Sequence, residues 1–139
     1  RDGSIHVLAA AGYFYPRHTQ MEIKAGGLVS STSTEGSDFD ASGEGLVLGV
    51  QHQLPCQVTG SLEYSRISDR GKQVNSLPDA AGNAVKAETD RDTIGIGLQR
   101  GMGRHTTISL NYGYSRSTAN IPRYSYRQDV WSAGITYDF

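Results

Sequence analysis

The sequence has 139 residues and a formal net charge of −1, so it has room for one domain and lacks the basic surface expected of a nucleic-acid partner. Its one cysteine, Cys56, excludes an intrachain disulfide and a cysteine-based zinc site. No apolar run approaches the roughly 20 residues that a membrane-spanning helix needs. The mean hydropathy of −0.45 also fits strands in which polar and apolar residues alternate and offset each other.

Polar and apolar residues alternate along most of the chain, and this period of two predicts β-strands. In the first such segment, Val7, Ala9, Ala11, Tyr13 and Tyr15 share the side that we take as apolar. The opposite side of that segment is mixed. Seven segments alternate in all, at residues 5–15, 20–31, 43–54, 57–67, 92–101, 105–116 and 127–139.

The middle segments place small polar residues and glycines opposite leucine, isoleucine and tyrosine. Glu22 and Lys24 lie on the polar side of the second segment, and Glu63 lies on the polar side of the fourth. The six glycines that alternation places on the polar side would relieve crowding on a concave wall: Gly12, Gly49, Gly95, Gly97, Gly113 and Gly134.

The last segment alternates most clearly. Trp131, Ile135, Tyr137 and Phe139 share its apolar side, and Asp138 lies on its polar side. Aromatic residues near strand ends form girdles at the two interfaces of a membrane. The predicted interface aromatics are Tyr13, Tyr15, Tyr64, Tyr112, Tyr114, Trp131, Tyr137 and Phe139.

The connections alternate between tight turns, at residues 16–19, 54–56 and 101–105, and long segments, at residues 32–42, 69–90 and 117–128. This alternation is typical of outer-membrane barrels. The predicted fold is therefore all-β, an antiparallel up-and-down transmembrane β-barrel, with residues 1–139 as one barrel domain in the bacterial outer membrane. A soluble sandwich or lipocalin-like barrel is the alternative. The scarcity of lysine and glutamate on the polar sides argues against it.

The segment Trp131-Ser-Ala-Gly-Ile-Thr-Tyr-Asp-Phe139 resembles the terminal strand of bacterial outer-membrane proteins. The resemblance implies that Ile135, Tyr137 and Phe139 form a signal read by the barrel assembly machinery. The stretch from Arg91, with Asn111-Tyr-Gly-Tyr-Ser and Tyr124-Ser-Tyr-Arg, resembles the C-terminal part of large porins found with exopolysaccharide export systems. That resemblance implies a transport or export function. Surface lipoprotein assembly modifiers and cytochrome-sheathing barrels end similarly.

The main candidates for function are charged residues on the polar side of their strands, the side expected to face the lumen of a barrel: Glu22, Lys24, Glu63 and Asp138. In a wide pore they would tune ion selectivity, whereas in a narrow barrel they would pair and plug it. On the long-loop side, four arginines would meet lipopolysaccharide phosphates or would simply be solvated: Arg66, Arg116, Arg123 and Arg127. Outer-membrane lipid and lipopolysaccharide are thus expected partners.

Neither catalysis, a cofactor nor a metal is predicted. His6 and Glu44 lack the spacing of a nucleophile with its base. The acidic first loop, with Glu35, Asp38 and Asp40, departs from the calcium-loop pattern. Cys56 follows Pro55 in a turn, where we interpret it as an incidental thiol rather than an attachment site.

The sequence therefore predicts a transport or export pore, with substrate unknown. The alternatives are a narrow structural or surface-recognition barrel that works through its external loops and, more weakly, an outer-membrane enzyme. Residues 69–90 would fold into the pore mouth or form the recognition surface. Because single-chain barrels have even strand numbers, we expect a longer chain or another subunit to supply further strands.

Overall fold

The structure, a computed structural model, describes residues 3–17, 19–34 and 40–138. Glu35, Asp38 and Phe139 lie outside the described residues. The described residues form seven β-strands and two 3-10 turns, Pro55–Gln57 and Pro122–Tyr124. The strands are β1 (Gly3–Phe14), β2 (Met21–Thr34), β3 (Ala41–Leu54), β4 (Val58–Val74), β5 (Lys86–Met102), β6 (Thr106–Ala119) and β7 (Tyr126–Tyr137). The predicted all-β fold and the predicted strand order are confirmed.

The strands form one sheet in chain order, and every neighbouring pair is antiparallel. The topology is therefore up-and-down, as predicted. Within the described residues β1 and β7 do not pair with each other, so the sheet stays open with these two strands as its edges. Across residues 3–17, 19–34 and 40–138, no helix has the length and apolar character required to span a bilayer.

Directly opposed residues of an antiparallel sheet point to the same face, so the register assigns each side chain to a face. One unbroken row of seven residues crosses the sheet, and its members are apolar or aromatic. This row, here called the shared row, consists of Phe14, Ile23, Val50, Leu62, Ile96, Tyr112 and Trp131. It defines the apolar face. Lys24 and Glu63 lie on the opposite, polar face.

The sheet lacks a hydrophobic core. Of the described residues, Ile121 alone is a buried apolar residue, 1% exposed, and it lies in a connection rather than in the sheet. The apolar face is open to its surroundings, since Trp131 is 69% exposed and Ile135 is 76% exposed. Most large apolar side chains of a soluble domain are buried, whereas those of this face are uncovered in the part of the chain that the structure describes.

Two strands run much farther toward the loops than the alternation predicts. β4 and β5 have 17 residues each, against the expected 57–67 and 92–101. Their outer halves are polar and carry no apolar period, but opposite charges pair across them. Arg70 lies opposite Glu88, and Arg66 Nη2 lies 3.2 Å from Asp90 Oδ2. The expected loop at 69–90 therefore shortens to residues 75–85.

The faces of β1 are the reverse of the prediction. Tyr13 lies opposite Lys24 and so belongs to the polar face, while Phe14 lies opposite Ile23 on the apolar face. Gly12 also moves to the apolar face, opposite Ala25. The reason is that β1 is apolar on both sides, so its alternation does not specify a face. Pairing with β2 decides it instead.

Candidate functional site

A groove of about 390 Å³ lies on the polar face. Residues from five neighbouring strands line it, which makes this face concave. The polar and small lining residues are Glu22, Lys24, Gly49, Gln51, Ser61, Glu63, Gly95, Gly97 and Asn111. Three of the four charged residues predicted to face a lumen, Glu22, Lys24 and Glu63, are thus brought together. The groove offers water, ions or a polar solute a surface rich in hydroxyl, amide and charged groups.

An ion pair spans the groove. Lys24 Nζ on β2 lies 3.2 Å from Glu63 Oε2 on β4, so the pair bridges the strand between them. Gly49 of β3 lies directly between the two residues in the register. A Cβ at Gly49 would lie 3.5 Å from Lys24 Cβ, so a larger side chain there would compete with Lys24 for its path. The pair is partly exposed, with side-chain exposures of 32% and 56%.

Gly95 and Gly97 expose backbone to the groove. At Gly97 an added Cβ would meet Ser61 Oγ at 2.5 Å and Asn111 Oδ1 at 3.1 Å, so here glycine relieves crowding as predicted. At Gly95 and Gly113 nothing described lies within 4 Å of an added Cβ. Crowding does not explain those two glycines. They widen the groove on the β5–β6 side.

Glu22 and Asp138 have different surroundings. Glu22 accepts a hydrogen bond from Tyr15, and this bond raises the pKa of Tyr15. Tyr15 therefore lies on the side of Glu22 rather than with the interface aromatics, as Tyr13 does. Asp138 follows β7 at the opposite edge, where its N–H donates to the His105 carbonyl at 2.8 Å. It is not part of the groove lining.

The other described aromatics that were predicted for the interfaces lie on the apolar face: Tyr64, Tyr112, Tyr114, Trp131 and Tyr137. The rings of Tyr112 and Trp131 pack together at a centroid distance of 4.5 Å. Two tyrosines also bind carboxylates, with Tyr64 Oη donating to Asp92 and Tyr112 Oη donating to Asp129, both at 2.7 Å. Each hydroxyl thus anchors an apolar ring to a charged group on its loop side.

A row of charges crosses the apolar face on β4 to β7, on the loop side of these tyrosines. This arginine row consists of Arg66, Asp92, Arg116 and Arg127. The guanidinium of Arg127 lies 5.2 Å from the centre of the Tyr114 ring. Sequence reasoning identified the arginines but missed Asp92. Arg123 lies in the 3-10 turn Pro122–Tyr124, outside the row.

The connections 75–85 and 120–125 pack together into what we call the loop cap. Asn75 is 5% exposed, and its Nδ2 donates to Tyr124 Oη at 3.3 Å. Asn120 joins the cap to β5, accepting the Glu88 N–H at 2.8 Å and donating to the Lys86 carbonyl at 2.7 Å. The predicted recognition loop is therefore an ordered unit. No sequence signal identified Asn75 as its buried contact.

His6 and Glu44 are the residues considered above for catalysis. His6 and Glu44 both project on the apolar-face side near the loops, and within the described ranges neither forms a hydrogen bond with a serine. No group of three or more His, Cys, Asp or Glu residues in the part of the chain that the structure describes is arranged to hold a metal. Cys56 is exposed and has a φ of 64° in its turn.

Comparison with known proteins gives this chain no relatives. No protein-family model, curated protein or solved structure matches it. The relationship of the C-terminal segment to porins of exopolysaccharide export therefore stays a prediction.

Proposed function

We propose that this chain forms part of the wall of a transport or export pore in the bacterial outer membrane, with the polar face toward the lumen. The observation that supports the proposal is the direction in which the apolar side chains of the apolar face, here called the apolar band, extend across the sheet. On β1 the apolar face continues from Phe14 toward the loops, to Leu8. On β7 it continues from Trp131 the opposite way, through Ile135 to Tyr137.

The apolar band therefore crosses the sheet obliquely. Such a band is expected where tilted strands cross a flat hydrocarbon layer. Barrel strands cross the membrane at about 35–45°, so a layer of constant height cuts the rows of residues at an angle. A protein partner that covers the sheet has no such geometric requirement. The strands have 12 to 17 residues, and crossing the hydrocarbon takes about 9–11. The excess places the charged halves of β4 and β5 beyond the hydrocarbon.

A soluble sandwich or barrel would need a second layer against the apolar face. The described residues form a single sheet and bury no apolar side chain within it. An uncovered apolar face of this breadth in water favours aggregation. Lipid covers the same face without further protein.

The open edges point to further strands. Backbone groups at a sheet edge cannot be satisfied in hydrocarbon, so additional strands from a longer chain or another subunit would complete the wall. We further propose that the barrel assembly machinery inserts it, with Ile135, Tyr137 and Phe139 as the signal.

Conductance across a planar bilayer tests the pore. We expect a steady current from the full protein, with ion selectivity that depends on the groove. Glu63→Gln removes a negative charge from the groove and should shift selectivity toward anions. Lys24→Gln should shift selectivity toward cations.

Glu44→Gln is the matched control for these variants. Glu44 lies on the other face, opposite Val29, so its replacement should leave selectivity unchanged. Absence of a steady current, or equal effects of Glu44 and Glu63, would contradict the lumen assignment.

A narrow recognition barrel is the second candidate, and the loop cap favours it. Ordered external loops present a fixed surface, whereas a plain pore has no need of one. Conductance separates the two candidates, because a narrow plugged barrel passes no steady current. Enzymatic activity remains the weakest of the three alternatives.

A further inference from the structure

Two arginines lie directly opposite each other on neighbouring strands. Arg116 on β6 and Arg127 on β7 are directly opposed and share the apolar-face side. Directly opposed residues have Cβ atoms about 4.5–5.5 Å apart, and like charges in such positions repel. A sheet that keeps this pair on a lipid-facing surface gains from any anion that binds both guanidinium groups.

The neighbouring carboxylates only partly offset this charge. Arg127 Nε lies 4.0 Å from Asp129 Oδ2, a long contact, and Asp129 already accepts the Tyr112 hydroxyl. Asp92, which is opposite Arg116 on the other side, accepts the Tyr64 hydroxyl. Within the described ranges Arg116 forms no ion pair and no hydrogen bond. Both arginines are exposed, so their donors are available to a ligand.

The position of the pair specifies the kind of ligand. Tyr114 and Trp131 lie on the membrane-centre side of the pair, and apolar side chains follow beyond them. Aromatic girdles mark the level where hydrocarbon meets headgroups. A molecule held by the arginines would therefore have its polar part at the headgroup level and room for acyl chains along the apolar face below.

We propose that Arg116 and Arg127 bind a phosphate group of a phosphorylated glycolipid in the outer leaflet. Guanidinium groups form paired, charge-assisted hydrogen bonds with phosphate oxygens, so one phosphate can bridge both arginines and relieve their repulsion. The acyl chains of the same lipid contact Trp131 and the apolar face. This inference rests on the proposed membrane-spanning function and adds the lipid class and its binding residues.

Trp131 provides the assay because it is the one tryptophan in the sequence and lies on the same face as the pair, two rows toward the turns. The full chain is placed in phosphatidylcholine vesicles, and quenching of Trp131 is measured with brominated acyl chains. One set of vesicles carries bromine on phosphatidylcholine. A second carries it on a phosphorylated glycolipid of the lipid A type, and a third on the same glycolipid after removal of its phosphates.

We expect quenching in every set, with preferential quenching by the phosphorylated glycolipid. The double variant Arg116→Gln/Arg127→Gln should weaken the apparent affinity for that lipid by about tenfold or more, because each charge-assisted bond contributes about 1.5 kcal/mol or more. Arg100→Gln is the matched control. Arg100 lies on the same face near the turns, opposite Ile108, and its replacement should preserve the preference.

The outcomes separate the two proposals. Brominated phosphatidylcholine that fails to quench Trp131 overturns both, since the apolar face then does not meet lipid. Quenching by phosphatidylcholine without preference for the phosphorylated glycolipid overturns only the phosphate site. The site is also wrong if the preference survives in the double variant or after dephosphorylation of the glycolipid. Equal binding of inorganic phosphate and of the glycolipid at the same concentration would overturn the lipid site, since the acyl chains would then add nothing to the affinity.

Discussion

The two ends of the sheet differ in how the apolar face stops. At the turn end of β5 to β7 the final row of the face consists of Met102, Thr106 and Tyr137, and the row before it carries one charge, Arg100, between Val58 and Ile108. At the loop end of β4 to β7 it stops at tyrosines whose hydroxyl groups bind aspartates, and the arginine row follows. The polar extension of β4 and β5 and the loop cap lie beyond that row.

In the proposed membrane placement, the two ends meet different parts of the lipid layer. The turn end presents mainly apolar side chains, with Arg100 among them. The loop end presents aromatic rings, then carboxylates, then arginines. This order suits the boundary between hydrocarbon and charged lipid headgroups. The loop end also carries the loop cap. The two proposed contacts of the protein, the lipid phosphate at the arginine row and a recognition partner at the loop cap, would therefore both be made on that side.

The largest expected effect comes from placing charge in the apolar band. Leu110→Arg should destabilise the folded state in vesicles by about 2–4 kcal/mol, the cost of an arginine on the lipid face near the midplane. Asn111→Arg is its control, because Asn111 lies next in sequence but lines the polar groove. Urea unfolding monitored by Trp131 fluorescence measures both. Equal destabilisation by the two variants would show that the faces are assigned wrongly.

The loop cap should respond next. Asn75→Ala removes the hydrogen bond to Tyr124 and the acceptor for the Leu77 N–H. Leaving buried groups unsatisfied costs about 1–3 kcal/mol. Hydrogen exchange should therefore increase across residues 75–85 and 120–125 while the sheet stays protected. Loss of protection throughout β4 and β5 would contradict a cap that opens separately from the sheet.

The contact between Tyr112 and Asp129 should have a smaller effect, because it is exposed. Tyr112→Phe removes the hydrogen bond to Asp129 and keeps the ring against Trp131. We expect a small decrease in the thermal midpoint in vesicles. Tyr114→Phe is the control, since the Tyr114 hydroxyl has no hydrogen bond to the described residues. A loss from Tyr114→Phe as large as that from Tyr112→Phe would contradict a stabilising role of the Tyr112–Asp129 hydrogen bond.

The smallest expected effect is the pH response of the cap turn. Hydrogen bonds from Asn83 lower the pKa of Asp79 below its ordinary value of 3.8. A lowered pKa in the folded state means that the ionised form stabilises the turn above the ordinary pKa. That contribution disappears as the pH falls through the lowered value. Asn83→Ala removes only the side-chain bond to Asp79, because the backbone N–H at position 83 still donates. Carboxyl NMR titration should therefore show a partial rise of the Asp79 pKa, and an unchanged pKa would contradict the side-chain contact.

Strand number, order and most faces could be predicted from the sequence because one side of each later strand is polar. In β7, Ser132 and Gly134 alternate with Trp131 and Ile135, so the alternation identifies the apolar side of the strand without ambiguity. In β1 both sides are apolar, and the apolar face predicted for Tyr13 was wrong. The ion pair across Gly49 was also beyond prediction, since Lys24 and Glu63 meet through the register of two strand pairs.

By itself the sequence determined the all-β class, the antiparallel up-and-down order and the polar character of one face. These properties follow from local alternation and turn residues, which each segment carries independently. The tertiary structure alone decided the length of β4 and β5, the face of β1, the opposition of Arg116 and Arg127 and the packing of the loop cap. Each of these depends on which residues lie opposite one another on different strands, and such pairing is set by register across the sheet.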